Sequence, residues 1–349
     1  MQKNTFSGIQ MLRFLAAMLV VITHATGMVG ERLLQLAGEH FWRPGISGVD
    51  LFFVISGFVM AISSGKLVNQ KEGWRTFITH RLIRIVPLYW IATSLKVLLV
   101  IVAPSMALNS SIEFGHTIAS YLFFPTFDST GNSVLPVVKV GWTLSYEMFF
   151  YFFIALALFM NMSALKLATF VFVACSAANI FSSPEVPLVY GFLNPIMLEF
   201  VMGMFVAKYC AGSRTINTWT GVIVVVVCFT IMISAGDLPI WWRWVYWGLP
   251  SMFIVAIFVI LEPKINQVMP TIFIKLGDSS YSLYLFHTFV VPLIGSILVK
   301  LNLINPPMAV LACLLVSPAV CYLIYRWIEL PTTKFLRLNV GKLTYRELS

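Results

Sequence analysis

The sequence predicts an all-α, polytopic membrane bundle of about ten transmembrane helices with both termini in the cytoplasm. Three observations carry this fold class. Apolar residues make up 59% of the 349 residues and charged residues only 11%. The mean hydropathy is +0.88. Apolar runs of about 20 residues, enough to cross a ~30 Å hydrocarbon core as helix, recur with no large polar insertion between them.

Taken in order, the runs lie at 9–29, 46–65, 82–103, 141–160, 165–182, 189–209, 217–235, 244–262, 280–300 and 308–327. The first is too long for a secretory signal and ends in no small-x-small site, so it is expected to stay as an anchor. The longest connection, 104–140, contains IASYLFFPTF at 118–127. That patch is too short to span and is expected to be re-entrant or interfacial, roofing an outward cavity. Residues 1–335 are expected to form one membrane domain and 336–349 a short basic cytoplasmic tail. No internal repeat is evident.

With the N-terminus inside, seventeen of the 23 basic residues fall on the cytoplasmic side. Arg32, Arg43, Lys139, Arg243 and Lys300 fall outside, and Lys96 lies within the third run. This bias sets the orientation, and it accounts for the formal net charge of +9 without nucleic acid as a partner. The five cysteines sit in or beside apolar runs with no CxxC or Cys/His spacing, which points to core packing and to no metal.

Ionisable residues inside a bilayer are costly and normally face a bundle interior. In the first run Arg13 and His24 are eleven positions apart, nearly on one helical face and about 16 Å apart along the axis. A rise of ~1.5 Å per residue assigns each polar residue a depth from the inner face. Arg13 falls at about 6 Å and His24 at about 22 Å. Asp50 falls near 24 Å and Glu147 near 21 Å on the same scale. His24, Asp50 and Glu147 therefore share an outer layer suited to proton transfer. Arg81, Arg84, Ser280, Tyr281 and His287, the last at about 10 Å, join Arg13 in an inner cationic layer suited to phosphates. Blander readings stand beside these: Asp50 as a cap of the second run, Arg81 and Arg84 as a juxtamembrane pair on anionic lipid, His287 as a packing hydrogen bonder, and Trp142 and Tyr146 as interfacial belt residues.

Six strings then carry a family resemblance: Arg13 with His24 after ten residues, GISGVDLFFVISGF at 45–58, RLIRIVPLYW at 81–90, WTLSYEMFFY at 142–151, GDSSYSLYLFH at 277–287 and RWIELP at 326–331. In this order the chain resembles the acyltransferase-3 family of bacterial integral membrane acyltransferases over about residues 6 to 335. The resemblance implies transfer of an acyl group, usually acetyl, from cytoplasmic acyl-CoA (acetyl-CoA as donor) to a hydroxyl of a carbohydrate such as an exopolysaccharide, O-antigen or lipid-linked glycan. It implies a place in the bacterial inner membrane among membrane lipids, with a polysaccharide assembly complex as a partner. The family's functional positions fall on Arg13, His24, Arg81 and Arg84. Many members carry two consecutive acidic residues where this chain has Glu147 followed by Met148, and no esterase-like domain is expected after the tenth run.

Together these readings set His24 as general base, with Asp50 or Glu147 fixing its tautomer, and Arg13, Arg81, Arg84, Ser280, Tyr281 and His287 holding the donor. Direct transfer is expected over an acyl-enzyme on Ser145. The competing class is a proton-coupled transporter for an anionic or sugar-linked substrate, which the absence of repeat symmetry disfavours.

Overall fold

The computed structural model describes residues 6–36, 42–102, 112–128, 131, 133–181, 186–212, 214–236, 239–303 and 305–346. Every regular element among them is helical. In chain order these are α1 (Ser7–Met28), α2 (Gly48–Gly65), α3 (Gly73–Val102), α4 (Phe114–Tyr121), α5 (Trp142–Phe159), α6 (Ala164–Asn179), α7 (Pro187–Phe192) and α8 (Leu198–Tyr209). They continue as α9 (Thr218–Ser234), α10 (Ile240–Arg243), α11 (Leu249–Ile260), α12 (Glu262–Val268), α13 (Thr271–Asp278), α14 (Ser280–Lys300), α15 (Pro306–Ile324) and α16 (Leu330–Arg346). Short 3-10 turns lead into α2 and α5, and π-turns follow α1, α10 and α15.

Among the described residues, seven helical stretches are long and apolar enough to cross a membrane: 7–33, 44–65, 73–102, 139–159, 241–260, 280–300 and 306–339. α6 and α9 are apolar but shorter. The expected run 189–209 is broken into α7, a 3-10 turn at Pro195–Met197, and α8. Asn194 causes the break with Pro195: its Oδ1 accepts from the Ile196 N–H at 3.0 Å, and Pro195 has no N–H to continue a ladder. α3 begins at Gly73, nine residues before the apolar run at 82, because its first turns are polar and helix formation does not require apolarity. The expected ends at 103 and 182, part of the 104–140 connection, and the last three residues of the expected tail lie outside the described residues. The rest of that tail is helical, in line with α16.

α1 runs through the middle of the bundle, touching α2, α11, α13, α14 and α15. Its N-terminus carries no cap of its own. Glu262 caps it from α12, with Oε1 accepting from the Ser7 N–H at 2.5 Å and Oε2 from the Gly8 N–H at 3.0 Å. At the other end Arg32 donates to the Pro292 carbonyl at 3.1 Å and to the Ser296 hydroxyl, pinning α1 to α14. The two anchors fix where Arg13 and His24 stand.

α2 and α8 make the closest helix pair. A Cβ on Gly57 would lie 2.0 Å from the Phe200 carbonyl oxygen, and one on Gly203 would lie 1.9 Å from that of Val54. Only glycine permits this approach, the usual way membrane helices gain packing where lipid offers no hydrophobic drive. Rings fill the seam beside it: Phe53 stacks on Phe200 and Phe200 on Phe150, each with centroids 4.5 Å apart.

Segment 118–127 does not span. α4 docks on α3, where the Trp90 Nε1–H donates to the Tyr121 carbonyl at 2.9 Å. Its continuation, Phe123 to Pro125, lines one side of a cavity, as a roof would.

Candidate active site

The guanidinium layer is assembled by two elements. Arg13 comes from α1, and Arg81 and Arg84, three apart and so on one face, come from α3. They line a cavity of about 110 Å³ that Ser56 of α2, Glu147 and Tyr151 of α5, and Ser280, Tyr281 and Tyr284 of α14 complete. A second cavity of about 340 Å³ shares Arg13 and Arg81 and adds Lys66 and His80. The lining is therefore cationic from the Lys66 end inward.

The hydrogen bonds inside this cavity are incomplete in a specific way. Arg81 Nε, Arg84 Nη2 and Ser280 Oγ are buried and have no partner among the described residues. Buried polar atoms are nearly always paired, so three orphaned donors facing one space mark a place where acceptors from a ligand belong. Around them the frame is satisfied. Ser56 Oγ donates to Glu147 Oε1 at 2.9 Å. Tyr281 donates to the Ile85 carbonyl at 2.8 Å, and Ser282 donates to the buried Glu329 at 2.6 Å.

His24 lies outside this cavity. Its ring centroid is 5.0 Å from that of His287, the planes tilted by 45°. His287 is fully buried, and its Nδ1 lies 2.9 Å from the Leu283 carbonyl. A carbonyl only accepts, so the proton of His287 sits on Nδ1 and Nε2 carries the lone pair. That Nε2 has no partner among the described residues. His24 itself is exposed. The Tyr284 ring, which lines the arginine cavity, is 6.2 Å from the His287 ring.

The sequence-based grouping is thus partly redrawn. Arg13, Arg81, Arg84, Ser280 and Tyr281 line one cavity. Glu147, expected in the layer of His24, stands among the arginines instead, and His287, expected with the donor layer, stands beside His24. Asp50 joins neither. Its carboxylate is fully buried and takes both arms of Arg243, Nε to Oδ1 and Nη2 to Oδ2, each at 2.9 Å. The cause is helix stagger. Glu147 is level with Ser56, six residues or about 9 Å further along α2 than Asp50, although both carboxylates lie near the start of their helices. Ser145, the alternative acyl carrier, lines a different cavity from the arginines.

Residues that the sequence reading left without a role are Arg243, Glu199 and Glu329. Glu199 is fully buried on α8 within electrostatic reach of Arg243. The available signal was the presence of carboxylates in apolar runs, each of which needs a cation or a donor. Glu329 stood inside the quoted RWIELP string. Removing one partner of a buried ion pair costs about 3–5 kcal/mol. Asp50→Ala is therefore expected to lower the thermal stability of the detergent-solubilised protein sharply; full stability with lost transfer would give Asp50 a chemical role instead.

Comparison with known proteins bears on the family of the whole chain. The Acyltransferase domain family (Acyl_transf_3) matches residues 6–326. The exopolysaccharide production protein ExoZ of Rhizobium meliloti is 30% identical over 304 residues, covering 85% of this chain and 92% of ExoZ. ORF330 of Acidianus two-tailed virus, named for an acetyltransferase, is 24% identical over 314 residues, 84% of this chain and 86% of its own. No solved structure matches significantly.

Proposed function

Because the chain belongs to the acyltransferase-3 family and is a membrane O-acyltransferase, we propose that it moves an acetyl group from acetyl-CoA to a hydroxyl of a cell-envelope or exopolysaccharide carbohydrate. The observation that carries the donor assignment is the set of buried, unpartnered donors on Arg81, Arg84 and Ser280 in one cavity. Guanidinium forks suit the phosphates of a nucleotide, and Lys66 extends the cationic lining toward the mouth. Glu147 and Glu329 balance part of that charge in place.

The acyl end of the donor then points past Tyr284 toward His24. His24 takes the proton of the acceptor hydroxyl as its oxygen attacks the thioester carbonyl. The carbon–sulfur bond breaks, the thiol leaves with that proton, and the acyl group ends as an ester. His287 stands beside the base, while Asp50 acts at a distance by holding Arg243. Direct transfer suits this geometry better than an acyl-enzyme on Ser145, which lies off the path.

In this reading the seven long spans, α6, α9 and the broken α7–α8 element make ten crossings, with both termini cytoplasmic and the arginine cavity opening inward. The protein sits in the bacterial inner membrane. Residues 1–335 form the catalytic domain and 336–349 a basic tail, and an assembly complex for the polysaccharide is a natural partner. The test uses purified protein in nanodiscs with acetyl-CoA and glycan from a strain lacking the gene. Acetyl esters found on that glycan by mass analysis support the reading. No transfer, together with no acetyl-CoA binding at millimolar concentration, sinks it.

A further inference from the structure

A cavity outside the donor path lies across α5 from the arginines. The first turns of that helix act as a wall, with Thr143, Leu144, Glu147 and Tyr151 facing the arginine cavity. Trp142, Ser145 and Tyr146 face a separate space of about 440 Å³. The division follows the helical repeat, each set recurring at three- or four-residue spacing. Asn194 and Arg243 complete the polar lining of the second cavity, and Phe124 closes it from the segment after α4.

These groups are held in place without a ligand. Asn194 Nδ2 donates to the Tyr146 hydroxyl at 3.2 Å while its Oδ1 holds the Ile196 N–H at 3.0 Å. The Trp142 and Tyr146 rings meet edge to face, centroids 5.4 Å apart at 88°. Arg243 is clamped by Asp50, with its guanidinium carbon 6.0 Å from the Trp142 ring and 5.0 Å from that of Trp247. The cavity therefore offers flat aromatic faces beside an amide, a hydroxyl and a charge-balanced guanidinium, and its described lining has no carboxylate or ammonium. A sugar ring matches this set, with apolar C–H faces and a rim of hydroxyls. A lipid chain would offer no acceptor to the N–H groups that the amide and the guanidinium have left after those bonds.

Position links the cavity to the chemistry. Thr143, next to Trp142, has its hydroxyl 3.0 Å from that of Tyr284, whose ring is 6.2 Å from the ring of His287, itself 5.0 Å from His24. A few side chains separate the cavity from the base, a gap that an oligosaccharide bridges and a single sugar does not. We propose that the Trp142–Tyr146–Asn194 cavity binds a neutral sugar ring of the acceptor, at a position along the glycan from the ring that is acylated. This rests on the carbohydrate acceptor proposed above, and it makes the enzyme selective for an oligomeric acceptor.

The test takes unacetylated glycan of the deletion strain, depolymerised into repeat units and into monosaccharides, and measures acetyl transfer by the full chain in nanodiscs. Ser145→Phe places a ring in the cavity. Asn194→Asp keeps the oxygen that caps Ile196 but removes the amide donors. Each is expected to raise the KM for the repeat unit at least tenfold, to leave acetyl-CoA binding intact, and to erase the preference for repeat unit over monosaccharide. Unchanged repeat-unit KM in both variants, or a wild-type protein indifferent to acceptor length, overturns the sugar cavity while the acyltransferase reading stands. Acetyl-CoA binding with transfer to no glycan overturns the carbohydrate acceptor itself, and the cavity assignment with it.

Discussion

His24→Ala is expected to lower acetyl transfer by about 10²–10⁴-fold, the usual worth of a positioned general base, while the protein still inserts and still binds acetyl-CoA. The separation of the two effects follows from where the residue stands. His24 is not part of the cavity that Arg13, Arg81 and Arg84 line, so its loss removes none of the proposed contacts to the donor's phosphates. It is exposed beside His287, the place an incoming hydroxyl would reach. Truncation to alanine leaves α1 anchored at both ends, by Glu262 on its N-terminal N–H groups and by Arg32 on α14, so the helix keeps its register. Isothermal titration with acetyl-CoA and a transfer assay on the same preparation read the two properties separately. Normal transfer by purified His24→Ala would remove the base from the mechanism; loss of donor binding along with transfer would place His24 in the donor site.

How far the site could be read from sequence depends on which axis carried the information. Along one helix the reading is sound: the eleven-residue interval from Arg13 to His24 separates a residue of the arginine cavity from one beside His287. Between helices it fails, because depth counted from the end of each run assumes that all runs begin in one plane. α5 is set inward relative to α2, so Glu147 meets Ser56 and not the level of Asp50. The partner of Asp50 was unreadable for a different reason. Arg243 is 193 positions away in a stretch that scored as an outer loop, and only the fold brings it to a carboxylate that had to find a cation. Hydropathy also fixed the ends of helices less well than their existence. It missed the polar first turns of α3 and the Asn194–Pro195 break, both of which are matters of backbone hydrogen bonding and not of apolar content.

Arg81→Ala with Arg84→Ala is expected to weaken acetyl-CoA binding by about 100-fold or more. A hydrogen bond to a charged group contributes about 1.5–3 kcal/mol, and each guanidinium has a buried nitrogen with no partner among the described residues. On the proposed reading these contacts go to the nucleotide and not to the reacting carbonyl, and so would hold ground state and transition state alike. The loss should therefore appear in the donor KM, with kcat at saturating donor much less affected. Arg84→Lys should restore little, since an ammonium is a point charge and cannot reproduce the planar fork. The competing account has the same pair resting on anionic lipid head groups at the membrane surface. It predicts the reverse: acetyl-CoA affinity unmoved, and stability dependent on the lipid composition of the nanodisc. Arg81 lies over the Phe77 ring and both arginines line one interior cavity with Glu147, which argues for the first, because a residue held for lipid should face outward from the bundle.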